Sequence, residues 1–136
     1  PKKINEDVVV PVSRIPDLIE GLEQLSREHG IRIVNFGHAG NGNIHVNLLA
    51  NPDNKEEMER AMACLDATFD LVLKLEGTLS GEHGVGLEKR DFIDREIDTV
   101  TLDLMRGIKS HFDPNNILNP GKMLPAVNFE HADPLR

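Results

Sequence analysis

The feature that most constrains this chain is the Asn41-Gly42 pair, which lies between two strand-forming runs at residues 31–36 and 43–49. An Asn-Gly pair in that setting is the strongest short-range signal of a β-hairpin with a two-residue type I′ turn. With these two residues as the loop, His38 pairs with His45, and their Cβ atoms lie about 5 Å apart on one face. Two imidazoles at that separation can share one metal ion. The alternative is a pair of polar side chains on the solvent side of the hairpin.

Helical and strand patterns surround this hairpin. A strand is predicted at residues 8–10 and is followed by a helix that begins near Ile15, with Ser13 as its cap, and stops at Gly30. A second helix follows the cap residue Asn54, runs through 58–72 and ends at Gly77; a last helix covers 97–112. The order is β-α-β-β-α, a loop or short strand at 78–86, and α. It predicts an α+β fold: a ferredoxin-like antiparallel sheet with helices on one face, a C-terminal helix and a loop tail.

Composition excludes several classes of function. The 136 residues are enough for one domain with a hydrophobic core, and the net charge of −8 argues against binding to nucleic acid or an anionic membrane. No run of about 18 apolar residues is present, so no transmembrane segment is predicted, and no signal-peptide pattern is visible. The single Cys64 fits a reducing compartment. The predicted location is the cytoplasm, and the alternative is peripheral association with a membrane.

A second glycine-framed segment, Ser80-Gly81-Glu82-His83-Gly84-Val85-Gly86, carries a carboxylate beside a histidine. Glu82 with His38 and His45 makes three protein ligands and leaves an open coordination position, which is the pattern of catalytic zinc-like sites. His83, next in the chain, is then the candidate general base. Two alternatives stay open: an anion-binding loop, which the Glu82 carboxylate disfavours, and a surface connection that happens to carry a histidine.

Three segments, in order, resemble the C-terminal domain of FAD-linked oxidases in the vanillyl-alcohol-oxidase-type flavoprotein superfamily. They are Gly-His-Ala-Gly-Asn-Gly-Asn-Ile-His, Ser-Gly-Glu-His-Gly-Val-Gly and Asp-Pro-Asn-Asn-Ile-Leu-Asn-Pro-Gly-Lys. The most similar branch holds the FAD-binding glycolate oxidase subunit, D-lactate dehydrogenase and D-2-hydroxyglutarate dehydrogenase. The resemblance implies that residues 1–136 form the substrate and metal domain, and that the FAD-binding domain is absent from this chain. Asn41 stands where the family motif usually has Asp.

The resemblance also implies roles for individual residues. His38, His45 and Glu82 match ligands of a divalent metal, often zinc, and His83 matches the base near the substrate hydroxyl. Matching residues expected to bind substrate or cofactor are Lys3, Asn43, Asn47 and Asn119. The implied activity is oxidation of a small 2-hydroxy acid with hydride transfer to FAD, which the missing domain mainly binds.

The implied partners are the hydroxy acid and the FAD-binding domain of the same protein. A face that this domain would cover also favours self-association of the isolated chain. On this interpretation the chain alone is inactive. Two other functions remain alternatives from the sequence: a stand-alone metal hydrolase, and a non-catalytic interaction module whose metal site is vestigial.

Overall fold

The structure, a computed structural model, describes residues 2–38 and 40–126, except for the side chain of Lys2. Its strands are β1 (Lys2–Val9), β2 (Arg32–His38) and β3 (Asn43–Ala50), and its helices are α1 (Ile15–His29), α2 (Lys55–Lys74) and α3 (Thr99–Phe112). Short 3-10 turns cover Val12–Arg14 and Ile93–Arg95. The predicted α+β class is confirmed. None of the helices in the described residues is long and apolar enough to cross a membrane.

The three strands form one antiparallel sheet in the order β1-β3-β2. The central strand, β3, turns Ile44, Val46 and Leu48 to a fully covered face. Helix α2 contacts β3 on this side and α1 contacts β2, so the two helices and the sheet enclose one apolar core. The alternate residues of β3, including His45 and Asn47, lie on the opposite face of the sheet.

The hairpin is longer than the Asn-Gly pair predicts. His38 pairs with Asn43, and Phe36 pairs with His45, so four residues separate the last paired positions and the predicted two-residue turn is wrong. The Asn41 N–H donates to the His38 carbonyl at 3.1 Å, and Gly42 has a φ of 78°. The register differs from the prediction by two residues, one full period of a strand. His38 and His45 therefore remain on one face but lie diagonally rather than directly opposite.

The first helix starts differently from its prediction. Ser13 lies within the 3-10 turn and is not the cap, because Arg14 precedes α1 and makes no side-chain capping bond. Pro16 occupies the first turn, where the absence of its N–H costs nothing. Gly30 ends α1 with a left-handed φ of 61°, as predicted.

The other helix ends depend on side-chain caps and tertiary contacts. Asn54 caps α2 by accepting the Glu57 N–H at 3.1 Å, as predicted. The helix ends at Lys74 instead of Gly77; a Cβ on Gly77 would lie 2.3 Å from the Val9 carbonyl oxygen, so that glycine is needed for close packing. The start of α3 moves from residue 97 to Thr99, because Asp98 caps it by accepting the Thr101 N–H at 2.7 Å.

Beyond α2, Val9 and Thr78 form an isolated antiparallel bridge. The predicted loop or short strand at 78–86 is a loop that begins at this bridge. The chain then divides into two compact units, with the boundary after Gly84. The first unit holds the sheet, α1 and α2. The second unit contains α3, in which Leu102 is buried while Leu104 and Ile108 are exposed.

Asp113 stabilises the turn after α3 and should make that turn sensitive to acid. Its carboxylate accepts a hydrogen bond from the Lys109 ammonium group. It also accepts hydrogen bonds from the backbone N–H groups of Ile117 and Leu118, each at 3.0 Å. The Lys109 hydrogen bond is the main reason that the pKa of Asp113 falls below its usual 3.8, and the two backbone bonds act in the same direction. A carboxyl whose pKa is lowered on folding stabilises the native state above its unfolded pKa.

We therefore expect the full contribution of Asp113 above about pH 4, with loss as the pH falls through the lowered native pKa. NMR chemical shifts of the Ile117 and Leu118 amides, followed from pH 6 to pH 2, measure the loss of these hydrogen bonds. Asp113→Asn should remove the acid transition of these amides. An unchanged transition in that variant would assign the effect to other groups.

Candidate metal centre

The three predicted metal ligands converge on one side of the sheet. Their ligand atoms, from His38, His45 and Glu82, all lie within 4.8 Å of one another. His45 Nε2 lies 3.4 Å from Glu82 Oε1, and the rings of His38 and His45 meet edge to face with centroids 6.0 Å apart. All three residues belong to the first unit, so one compact body positions the whole set.

Different elements deliver the three side chains. His38 is the last residue of β2, His45 lies in the central strand β3, and Glu82 sits in the loop that follows the Val9–Thr78 bridge. His45 is 9% exposed, whereas His38 and Glu82 are both exposed. The cluster thus has one buried member, His45, and two exposed members, which leaves an approach from solvent for a further ligand.

The donor set fits a zinc-type ion. Two ligand atoms each about 2.1 Å from a tetrahedral zinc lie about 3.4 Å apart, and the His45–Glu82 separation has this value. The ligand atoms of the cluster lie up to 4.8 Å apart. Because His38 and Glu82 are exposed, their side chains have room to move the ligand atoms closer together around an ion. Two imidazole nitrogens with one carboxylate oxygen are typical ligands of catalytic zinc.

His83 lies beside the cluster, where the sequence predicts the base. Its ring centroid is 5.5 Å from that of His45. Its Nδ1 atom is 3.3 Å from Oδ1 of Asp7, and its side chain is 46% exposed. The imidazole is therefore accessible to a small molecule bound next to the ligand set.

Sequence reasoning missed Asp7, which is completely buried beneath this loop. It lies in β1 directly opposite His45. Its carboxylate accepts hydrogen bonds from the backbone N–H groups of Glu82 and His83, the latter at 3.0 Å. A Cβ on Gly81 would come within 2.9 Å of Asp7 Oδ2, which explains the glycine there. The available signal was alternation in β1, where Lys3, Asn5 and Asp7 share the face of the site.

Asn47 and Asn43 both lie on this face of β3. Asn47 is 2% exposed and donates from Nδ2 to the Val34 carbonyl at 3.1 Å. Asn43 is buried near Gly81, since a Cβ there would lie 2.8 Å from Asn43 Oδ1. Within the described part of the chain, neither side-chain oxygen has a hydrogen-bond partner. A buried acceptor without a partner marks a place for a donor from water or a ligand.

The other two predicted binding residues lie in different units. Lys3 belongs to the first unit, and its Nζ is 5.7 Å from the ring centroid of Phe36. Lys3 is in β1 and Phe36 in β2, on either side of β3, so the lysine side chain crosses the central strand on the face of the site. Asn119 belongs to the second unit, where it lines a cavity of about 120 Å³ together with Asn116 and Lys122.

Comparison with known proteins identifies the family of the chain. Residues 1–123 match the family described as FAD linked oxidases, C-terminal domain. The chain is 40% identical over 123 residues to the glycolate oxidase subunit GlcD of Bacillus subtilis (strain 168), an alignment that covers 90% of this chain and 26% of that protein.

Two further relatives carry different names. D-lactate dehydrogenase of Anaerostipes hadrus is 37% identical over 118 residues, covering 86% of this chain and 25% of that protein. D-2-hydroxyglutarate dehydrogenase of Stutzerimonas stutzeri (strain A1501) is 37% identical over 125 residues, covering 88% and 27%. The chain thus spans about a quarter of the length of these relatives. It belongs to the family of the C-terminal domains of FAD-linked oxidases.

Proposed function

We propose that this chain supplies the metal and base half of a flavin-dependent 2-hydroxy acid dehydrogenase or oxidase. The substrate is an acid of the glycolate, D-lactate or D-2-hydroxyglutarate type, and the FAD-binding domain is part of the same protein. The observation that carries the proposal is the convergence of His38, His45 and Glu82 beside His83 in a chain of this family.

The face of the sheet offers contacts for both ends of a 2-hydroxy acid. The side chain of Lys3 crosses β3 on the face that carries the site, and its ammonium group supplies a positive charge for the substrate carboxylate. The buried side-chain oxygen of Asn47, which has no hydrogen-bond partner among the described residues, is an acceptor that a donor group of the ligand would satisfy. A zinc ion held by the three ligands would act as a Lewis acid that makes a coordinated hydroxyl group more acidic.

His83 is placed to take the hydroxyl proton, since it is exposed and its ring lies 5.5 Å from that of a metal ligand. As the proton leaves the oxygen, the hydrogen on the neighbouring carbon departs with its electron pair, and the product is a 2-oxo acid. FAD, bound by the other domain, would accept that hydride. A positioned base of this kind contributes about 10²–10⁴-fold to the rate.

The test is anaerobic stopped-flow reduction of the flavin in the FAD-containing protein that carries this chain. Glycolate, D-lactate and D-2-hydroxyglutarate are the substrates, and the variant is His83→Gln. We expect its rate of flavin reduction to fall about 10²–10⁴-fold with the substrate that the protein uses. His29→Gln, in the last turn of α1, serves as the control and should reduce flavin at the unmodified rate.

Two results would contradict the proposal. One is flavin reduction at the unmodified rate in His83→Gln. The other is an unchanged rate after a chelator has removed all bound metal. Zinc-dependent ester cleavage by the chain without FAD would instead favour a hydrolase.

A further inference from the structure

We infer that Asp7 is a positioning residue, which anchors the loop at Glu82 and sets the protonated nitrogen of His83. The catalytic meaning of this inference rests on the proposed function. The structural part, which nitrogen of His83 carries the proton and what sets it, can be measured without activity.

The first argument is the anchoring of the loop. Asp7 Oδ2 accepts two consecutive backbone N–H groups, those of Glu82 and His83. A fully buried carboxylate is costly unless such donors compensate it. Because Asp7 is paired with His45 in the sheet, the anchor is fixed relative to the one buried metal ligand. The position of the Glu82 backbone is thereby tied to the strand that carries His45.

The second argument is the chemistry of the imidazole. Asp7 Oδ1 lies 3.3 Å from Nδ1 of His83. An ionised carboxylate only accepts hydrogen bonds, and a neutral imidazole carries one N–H and one bare nitrogen. The favourable arrangement places the proton on Nδ1, directed at Asp7, and leaves Nε2 with its lone pair. That tautomer is the one able to accept a proton from a substrate at Nε2.

The third argument is the effect of the isosteric amide. In Asp7→Asn the side-chain oxygen would stay on the two backbone N–H groups, since the reverse orientation directs NH₂ at two donors. The NH₂ group would then face Nδ1 of His83, which must become the acceptor. The imidazole proton would move to Nε2, and the base would be lost although the loop remains anchored. Asp7→Ala would remove the anchor as well.

The first experiment determines the tautomer of His83 in the 136-residue chain. Zinc-free protein with ¹⁵N-labelled histidine is studied by long-range ¹H–¹⁵N NMR at a pH where the ring is neutral. We expect Nδ1–H in the natural sequence and Nε2–H in Asp7→Asn. Asp53→Asn, which removes the same charge from an exposed position, should leave the tautomer unchanged. A natural Nε2–H tautomer, or one tautomer in both proteins, would overturn the inference.

The second experiment separates positioning from metal loss in the FAD-containing protein. Asp7→Asn should keep zinc affinity within about threefold while kcat falls about 10²–10⁴-fold and KM changes little. Asp7→Ala should in addition lose at least about tenfold in zinc affinity. Unchanged kcat in Asp7→Asn, or zinc loss equal in both variants, would contradict the inference. Flavin reduction that survives His83→Gln would refute the proposed base but leave the tautomer measurement intact.

Discussion

Phe69→Ala is expected to lower the free energy of unfolding of the first unit by about 3–5 kcal/mol. Phe69 lies in α2 and is completely buried. Its removal takes a large apolar surface out of the core and leaves a cavity that the packed helices and sheet only partly close. Because a domain is stable by only about 5–15 kcal/mol, this loss is a large share of the total. Urea denaturation followed by circular dichroism measures it.

Phe112→Ala makes the same chemical change at an exposed position: Phe112 lies in α3, in the second unit, and is 78% exposed. Its free energy of unfolding should stay within about 0.5 kcal/mol of that of the natural sequence. Equal destabilisation by the two substitutions would contradict the assignment of Phe69 to the core. A loss below about 1 kcal/mol at Phe69 would contradict it as well.

The arrangement of strands at the site was partly predictable because strand periodicity tolerates a shift of two residues. Side chains alternate between faces, so a register error of one full period keeps His38 and His45 on the same face. The loop itself was not predictable from Asn41-Gly42 alone. A Cβ on Gly42 would lie 2.0 Å from the Val10 carbonyl oxygen, so that glycine also serves a contact with a distant part of the chain.

The full extent of β1 was not predicted from the sequence, because the polar residues that it contributes to the site interrupt the apolar strand pattern. Only residues 8–10 had an apolar strand pattern, whereas the strand begins at Lys2. Its outward positions at Lys3, Asn5 and Asp7 are polar because they face the site, and an inward position, Glu6, is a buried carboxylate. Asp7 was missed for this reason: a residue in an unrecognised strand could not be placed opposite His45.

Helix α3 shows the opposite case: the spacing of its apolar residues correctly predicted a helix, but these side chains are not buried. The helical spacing of Val100, Leu104 and Ile108 correctly predicted a helix, yet all three side chains are exposed. Periodicity reports which residues share a face of a helix. It carries no information about whether another element covers that face.

His38→Ala is the sharpest test of metal binding by the chain. His38 is exposed at the end of β2, so its removal should change the free energy of unfolding of the metal-free protein by no more than about 0.5 kcal/mol. It nevertheless removes one of the three proposed ligands, and we expect zinc affinity to fall by about 100-fold or more. Isothermal titration of the chain with zinc measures this directly. His29→Ala, in the last turn of α1, should bind zinc with the natural affinity.

Zinc should also stabilise the natural chain by a predictable amount. A ligand that binds only the folded state at 100 times its Kd adds about 2.7 kcal/mol to the free energy of unfolding. If His38→Ala raises the Kd 100-fold, the same zinc concentration adds only about 0.4 kcal/mol to that variant. Comparing urea unfolding with zinc and with a chelator isolates this increment from any change in the metal-free stability. An equal increment in the natural chain and in His38→Ala would show that His38 is not a ligand, because a site must bind its metal ion more weakly when one of the donor atoms is removed.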